Sequence, residues 1–190
     1  LQTLAAWCAG IIHAALGEAE TGIAECQRAV ERAPEPLNRA IATGWLGFAY
    51  MEKGDAAHAI PLLERAAGQF GRFGYRPLQG WFTAFLAEAY RISGQLDVAR
   101  DVALKSLQIA TDARVRVAIG WARLSLGRTA NAAAAHAEAE THLRAALGTF
   151  ASIQSRYETG RTQMDLAIAA HGQGKAAAAV SSLRAAHQLF

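Results

Sequence analysis

The chain has 190 residues, of which 52% are hydrophobic and only 8% aromatic, and its formal net charge is +3. No stretch approaches the roughly 18 uninterrupted apolar residues of a membrane span, and no basic-then-apolar leader opens the chain, so we expect a soluble, cytoplasmic protein. Cys8 and Cys26 do not indicate a secreted disulfide framework and are predicted to be reduced core residues.

A leucine followed by a small residue returns along the chain at a fixed spacing of forty residues. Thirteen residues after each leucine comes an alanine, and a shorter first copy around Ala9 and Gly10 precedes the second by 37 residues. The leucines are Leu46, Leu86, Leu126 and Leu166, and the alanines are Ala59, Ala99, Ala139 and Ala179. Self-similarity at this period indicates a stack of five units, each packing mainly on its neighbours.

The five units are predicted at residues 1–34, 35–74, 75–112, 113–152 and 153–190, each with two helices. In chain order, the helices are expected near residues 2–15 and 18–32, 37–53 and 56–70, 76–92 and 96–110, 113–131 and 136–150, and 155–171 and 176–189. Because the chain starts at Leu1 and stops at Phe190 on a hydrophobic pair, we expect it to be a piece of a longer protein.

Glycines separate the two helices of most units, since glycine suits the left-handed end of a helix. They are Gly17, Gly54, Gly94 and Gly174. In the fourth unit Ala134 occupies this position, so the turn there is predicted to be frayed or helical. Prolines and glycines at residues 33–36 and 71–77 are predicted to separate units.

The fourth unit gathers Arg114, Arg116, Arg123 and Arg128, which raises the question of nucleic acid binding. Elsewhere acidic residues alternate with the basic ones, and duplex binding needs a concentrated basic face and a reading element. We therefore keep single-strand nucleic acid binding only as a less favoured alternative.

No motif in the sequence indicates an enzyme, a cofactor or a metal. Gly172-Gln173-Gly174-Lys175 is similar to the end of a phosphate loop, but Ala176 replaces the hydroxyl residue and no strand precedes it, so a turn between helices is predicted. No two histidines lie one helical turn apart, as a shared ion would require. The six histidines of the chain are His13, His58, His136, His142, His171 and His187.

Leu46-Gly47, Tyr50, Ala59 and Leu63 resemble the tetratricopeptide pattern of Leu-Gly, Tyr, Ala and a bulky apolar residue. The resemblance implies an all-α, right-handed α-solenoid of five helical hairpins. Since that family's repeat has about 34 residues, the six or so extra residues are expected to lengthen helices and inter-unit turns. HEAT-like pairs of about 40 to 47 residues are the alternative. Residues 137–150 also resemble C-terminal helical arms of bacterial signalling ATPases, cyclases and transcriptional regulators.

First helices line the inner groove in the resembled family, and the groove implied here mixes apolar and charged residues, which suits a protein or peptide partner. The residues placed there by register are Phe48, Met51, Glu52, Trp81, Glu88, Arg91, Trp121, Arg128, Met164 and His171. The variety that clamps an acidic tail is disfavoured, because its lysine and asparagine positions hold other residues. Self-association through uncapped ends, around Leu1 and Leu4 or Leu189 and Phe190, is a further alternative.

Overall fold

A computed structural model describes residues 2–190, and all regular elements in this range are α-helices. They are α1 (Gln2–Ala15), α2 (Ala19–Arg32), α3 (Pro36–Glu52), α4 (Ala56–Arg72), α5 (Arg76–Ile92), α6 (Leu96–Asp112), α7 (Arg116–Ala132), α8 (His136–Ser152), α9 (Arg156–Gly172) and α10 (Ala176–His187). The predicted all-α arrangement of repeated hairpins is confirmed. Leu1, one of the residues expected in self-association, lies outside the described residues.

The connections between helices are more regular than the sequence suggested. From α3 to α9 each helix has seventeen residues, and three residues separate it from the next, within and between hairpins alike. The prediction of longer inter-unit turns is therefore wrong, and the helices take up the extra residues. A left-handed residue recurs every twenty positions from Gly54 to Gly174.

The turn at Ala134 is neither frayed nor helical, contrary to the prediction. Ala134 takes a φ of 58°, and its N–H donates to the Asn131 carbonyl at 3.0 Å. The Ala135 N–H donates to the Ala130 carbonyl at 2.9 Å, as at the glycine-containing turns. These bonds satisfy carbonyls that the end of the helix leaves free, which offsets the roughly 1–2 kcal/mol that a left-handed non-glycine residue costs.

The helices form two layers. Among the odd-numbered helices, α1 packs on α3, α3 on α5, α5 on α7 and α7 on α9, whereas within residues 2–190 no even-numbered helix packs on another. The odd-numbered helices are therefore closer together and form the inner, concave layer of a curved stack. This places the first helix of each hairpin where the family resemblance implies the groove.

Small residues set the spacing between the layers. Ala59, Ala99 and Ala139 are fully buried. A Cβ on Gly47 would lie 2.7 Å from the Leu63 side chain, and the two helices would have to separate to admit it. The repeated small residues therefore allow the close approach within each hairpin.

The inner layer has a continuous cluster of rings, here called the aromatic layer, which consists of Trp7, Trp45, Phe48, Trp81, Phe85 and Trp121. Trp7 stacks on Trp45 with ring centroids 6.0 Å apart, and Trp45 meets the edge of Trp81 at 5.4 Å. Phe85 bridges Phe48 at 4.8 Å and Trp121 at 4.9 Å. Because ring pairs stabilise beyond their buried area, this layer ties the first four hairpins into one body.

Candidate functional site

Four inner helices, α3, α5, α7 and α9, converge on a cavity of about 570 Å³, here called the polar pocket. Its lining residues are Met51, Glu52, Lys53, Gly54, Glu88, Arg91, Ile92, Arg128, Asn131, Ala132, Arg161, Asp165 and Ile168. The forty-residue period brings them together, because residues at one register position on successive inner helices face the same side of the stack. Four hairpins thus contribute to one site.

Glu88 is the most deeply buried charged group of the polar pocket, with 3% of its surface exposed. Its Oε2 accepts from Arg91 Nε at 3.0 Å and its Oε1 from Arg91 Nη2 at 2.8 Å. Arg128 Nη1 also donates to Glu88 Oε1, at 3.0 Å. Burial raises the pKa of Glu88, but the charges of Arg128 and Arg91 and the Arg91 hydrogen bonds outweigh it, so the net pKa is lowered.

Arg128 links Glu88 to the last inner helix. Its Nε donates to Asp165 Oδ2 at 2.7 Å, while Asn131 Nδ2 donates to the Asp165 backbone carbonyl at 3.0 Å. Burial lowers the pKa of Arg128, but the charges of Glu88 and Asp165 raise it by more, so the guanidinium stays protonated. The contacts of Arg128 with Glu88 and Asp165, together with the Asn131 hydrogen bond, link α5, α7 and α9 to one another.

Arg161 closes the pocket on its other side by reaching from α9 to α3. Its Nη1 donates to both carboxylate oxygens of Glu52, at 2.8 and 3.0 Å. The guanidinium carbon lies 5.6 Å from the centroid of the Trp121 ring and 5.4 Å from that of Tyr157. Tyr157 in turn donates to the Ala15 carbonyl at 2.9 Å, which joins α9 to the end of α1. Side chains therefore bridge the first and last hairpins across the concave face.

The structure separates the ten predicted groove residues into three groups. Met51, Glu52, Glu88, Arg91 and Arg128 line the polar pocket. Phe48, Trp81 and Trp121 instead pack in the aromatic layer, where Phe48 and Trp121 are buried, so the expectation that these two face an open groove is corrected. Large rings at these positions fill the space between neighbouring inner helices.

Met164 and His171 lie apart from the polar pocket, on a second and almost wholly apolar surface formed by α9 and α10. No sixth hairpin covers this part of the described chain, so side chains at these register positions stay exposed. The expectation of one groove containing all ten residues is corrected accordingly.

Sequence reasoning missed Arg161, Asp165, Lys53 and Asn131. Arg161 stands forty residues after Trp121, which was placed in the groove, so extending the register by one unit would have found it. Asp165 occupies the position of Trp45, Phe85 and Ser125, where the second and third repeats indicate a core ring. Nothing in the sequence alone signals that change of role.

The remaining candidate features have separate structural roles. Arg123 Nη1 lies 3.2 Å from His142 Nδ1, Arg116 donates to Ser152, Arg114 is in a turn, and Arg128 belongs to the polar pocket. These four arginines therefore have different surroundings. The phosphate-loop-like segment forms the turn between α9 and α10, as predicted.

Within residues 2–190 no group of three or more His, Cys, Asp or Glu side chains is placed to hold a metal ion. No helix in the same range combines the length and apolar character needed to cross a membrane. Cys26 is a free, buried thiol whose pKa burial and the charge of Glu25 raise to about 12, while Cys8 is free and half-buried.

No protein-family model matches the sequence, and no curated protein reaches the threshold for a match. Solved structures do match. The apo form of RapI has a TM-score of 0.72 at 16% identity, covering 100% of this chain and 70% of RapI. A Rap protein complexed with Competence and Sporulation Factor has a TM-score of 0.87 at 13% identity, covering 99% of this chain and 55% of that one.

A third match has a TM-score of 0.62 at 19% identity and covers 97% of this chain and 93% of the other. It is a putative kinesin light chain from Podosopora anserina with nearly identical TPR-like repeats. Identities this low establish the fold and not the activity. The chain therefore has the fold of the tetratricopeptide-like helical-repeat proteins, as its Leu-Gly, Tyr and Ala spacing predicts.

Proposed function

We propose that this chain is a protein-interaction scaffold that binds a peptide or helix of a partner protein at the polar pocket. The observation that carries the proposal is the concentration of ionised side chains on the concave face. Replacing a buried ion pair by well-packed apolar residues is often neutral or stabilising, so such a cluster contributes little to stability. The second and fifth hairpins have Phe48 and Ile168 at the register position that Glu88 and Arg128 occupy in the third and fourth. Apolar residues therefore fit this position.

The polar pocket offers hydrogen-bond donors that the protein itself leaves unused. Arg161 engages Glu52 and Tyr157 through Nη1 alone, and its Nε and Nη2 have no hydrogen-bond partner among the described residues. The two aromatic rings hold the guanidinium in place, so little side-chain entropy is lost when it binds. A backbone carbonyl or a carboxylate of a peptide is the natural acceptor for this fork of N–H groups.

The rim of the polar pocket supplies apolar contact next to these charges. Met51, Ile92 and Ile168 line it beside the arginines, and about 570 Å³ falls within the range of 300–1,000 Å³ for ligand sites. An amphipathic segment, with an apolar side chain next to a polar backbone or an acidic group, matches this surface. Such mixed surfaces are typical of peptide-binding grooves.

Binding without catalysis is the function that the electrostatics favour. A general acid or base works best with a pKa near the operating pH, whereas the pKa of Glu88 is lowered and Arg128 stays charged. Ser, Cys and His are absent from the described lining of the polar pocket, and its one lysine, Lys53, is paired with Glu20 at 2.8 Å. These groups are arranged to hold a ligand.

We also propose the setting in which this scaffold works, namely the regulatory or assembly arm of a larger cytoplasmic bacterial signalling protein. The resemblance of residues 137–150 to such arms supports it, and a Rap protein of this fold is known in complex with Competence and Sporulation Factor. Sequencing the reading frame on both sides tests the setting. A nucleotide-binding, cyclase or DNA-binding domain is expected there, and stop codons at both ends would refute it.

Selection of ligands from a random peptide library, followed by fluorescence anisotropy with the enriched peptides, tests the binding function. Arg161→Ala and Arg91→Ala are each expected to raise the dissociation constant about tenfold or more, because a charge-assisted hydrogen bond is lost. Arg65→Ala, on the exposed side of α4, is the matched control and should leave the affinity unchanged. Enriched peptides that bind all three variants equally well would refute a role for the polar pocket.

A further inference from the structure

The turn between α4 and α5 exposes two aromatic rings at one edge of the stack. Phe73 is 48% exposed and Tyr75 is 50% exposed. The other turns that join one hairpin to the next have smaller or polar residues at both positions. They are Ala33, Ala113 and Ile153 in place of Phe73, and Glu35, Val115 and Ser155 in place of Tyr75. The repeat therefore forms these turns without aromatic residues, and packing of the stack does not require the two rings.

The inner side of each ring packs on the core, which holds both rings in place. Phe70 is fully buried, and its ring centroid lies 6.2 Å from that of Phe73 and 6.1 Å from that of Tyr75. Gly74 takes a φ of 67° between the two rings, and the Tyr75 N–H donates to the Phe70 carbonyl at 3.0 Å. Because these contacts already order the rings, a flat ligand can stack on them at a small cost in entropy.

Positive charge is concentrated at the same edge. Residues 71–77 and the equivalent residues 111–117 of the next hairpin lie side by side, because α5 packs on α7. Together they contain four arginines and one acidic residue, which are Arg72, Arg76, Arg114, Arg116 and Asp112. Their net charge of +3 equals that of the whole chain, so the charges of all other residues balance one another. We call Arg72, Phe73, Tyr75, Arg76, Arg114 and Arg116 the basic edge.

The arginines of the basic edge are not neutralised by carboxylates. Arg72 and Arg114 are exposed, and neither side chain has a hydrogen-bond or ion-pair partner within residues 2–190. Arg76 and Arg116 donate only to neutral acceptors, a glutamine amide and a serine hydroxyl. In the polar pocket, by contrast, every arginine is paired with a carboxylate. A ligand of the basic edge therefore has to supply the negative charge itself.

A ligand with flat rings and repeated anionic groups matches both properties of the basic edge. Arginine binds phosphate through a fork of N–H groups, and bases stack on aromatic side chains whatever their sequence. The bases of a duplex are stacked on one another, whereas those of a single strand are free to stack on Phe73 and Tyr75. An anionic lipid surface would attract the same arginines. It is less favoured, because both rings are half buried and their neighbours along the turn are glycines and arginines.

We propose that single-stranded nucleic acid binds at the basic edge, with bases stacked on Phe73 and Tyr75 and phosphates bound by the arginines of the two turns. Stacking and phosphate contacts do not read base edges, so little sequence preference is expected. Of the four arginines that the fourth unit gathers in the sequence, only Arg114 and Arg116 take part. The basic edge shares no residue with the polar pocket, and this binding is independent of the proposed peptide binding.

Fluorescence anisotropy of the 190-residue chain with a labelled oligothymidine of about 20 nucleotides tests the proposal. The affinity is expected to fall as the salt concentration rises, since each phosphate contact releases counterions. Replacing both rings, Phe73→Leu with Tyr75→Leu, keeps an apolar contact with Phe70 but removes the stacking surface. The double variant should raise the dissociation constant about tenfold or more. Arg72→Gln and Arg114→Gln should each reduce the slope of log affinity against log salt by about 0.7.

Arg65→Gln is the matched control, because Arg65 is an exposed arginine two turns before Arg72 on α4 and lies outside the basic edge. It removes the same charge and should leave the dissociation constant and the salt slope unchanged. A duplex of the same length should bind the parent chain about tenfold more weakly, because its bases cannot stack on the rings. Circular dichroism should show the same helicity for all variants.

Three results would overturn the proposal. The first is that the parent chain does not bind the oligothymidine. The second is that the double leucine variant or the duplex binds as tightly as the parent chain binds the single strand, since charge alone would then explain the affinity. The third is that the parent chain and the double leucine variant both bind vesicles of phosphatidylserine and phosphatidylcholine more tightly than the oligothymidine, which would assign the basic edge to a lipid surface.

Discussion

At the residue scale, Glu88 shows how one side chain depends on charges from neighbouring repeats. Arg91 lies one turn away on its own helix, but Arg128 comes from the next hairpin. Removing one partner of a buried ion pair leaves the other charge without compensation, which typically costs about 3–5 kcal/mol. The free energy of unfolding therefore depends on Glu88 even though the complete pair adds little to it.

We expect Glu88→Ala to lower the free energy of unfolding by about 3–5 kcal/mol, because it leaves Arg128 buried with Asp165 as its remaining partner. Urea denaturation followed by circular dichroism measures this. Glu138→Ala is the control, since its pair with Arg100 is exposed and should contribute about 1 kcal/mol or less. Equal losses in the two variants would contradict the network described for the polar pocket.

Glu88 also makes the protein sensitive to acid. Its folded-state pKa lies below its ordinary value of 4.5, so the unfolded chain binds the proton first as the pH falls. The stabilisation is present above about pH 4.5 and is lost as the pH falls through the folded pKa. Urea midpoints of the parent chain should decrease below pH 4.5, and those of Glu88→Gln should decrease less steeply. If the urea midpoints of the parent chain and of Glu88→Gln decreased in parallel with falling pH, other carboxyl groups would determine the response to acid.

At the element scale, the turns are the places where the backbone conformation differs from the one that the residue types predict. Arg114, Ala134 and Gln154 have positive φ values, as do glycines at the other turns of the series. The hydrogen bonds that end each helix stabilise this left-handed conformation. The side chain at the turn only changes how much free energy the conformation costs. A sequence pattern based on glycine therefore identifies most of these turns and misreads the three that lack it.

We expect Ala134→Gly to raise the free energy of unfolding by about 0.5–1 kcal/mol, because glycine adopts the left-handed conformation without strain. The gain is reduced by the larger backbone entropy of glycine in the unfolded chain. Ala133→Gly is the matched control, because Ala133 has a φ of −85° and its replacement should be destabilising. Thermal denaturation of both variants measures the difference, and an equal loss in both would contradict the assigned turn.

The helices themselves could be predicted from the sequence, whereas the polar pocket could be only partly predicted. Regular spacing of leucine, alanine and glycine fixes where hairpins begin and how closely they pack, so the helix ranges agree within a few residues. Pairing between Arg161 and Glu52 depends on the curvature of the stack, which brings α9 back to α3. Curvature results from many small differences in packing between the two layers, and no short motif encodes it.

At the scale of the whole molecule, stability is distributed unevenly along the stack. The central hairpins have neighbours on both sides and contain most of the aromatic layer, while α10 exposes Val180 and Leu183. In a linear array the end units open more readily, since they have one interface instead of two.

Amide hydrogen exchange of the 190-residue chain should show this gradient. We expect α5 and α7 to exchange slowest and α10 fastest, because opening the central helices disrupts two interfaces and the ring contacts between them. Peptide-resolved mass spectrometry measures the rates. Uniform protection from α3 to α10 would indicate a single cooperative unit and would contradict the distributed core.

The twenty-residue spacing of the turns has a consequence for how such a chain can change length during evolution. From α3 to α9 each helix and its connection occupy twenty residues, and successive helices alternate between the concave and convex layers. Duplicating or deleting forty residues leaves every later helix on its own side. Duplicating or deleting twenty residues would instead move every later helix to the opposite layer. Arg161 and the aromatic rings that hold it would then lie on the convex side. Length changes that preserve the two layers are therefore expected to involve pairs of helices.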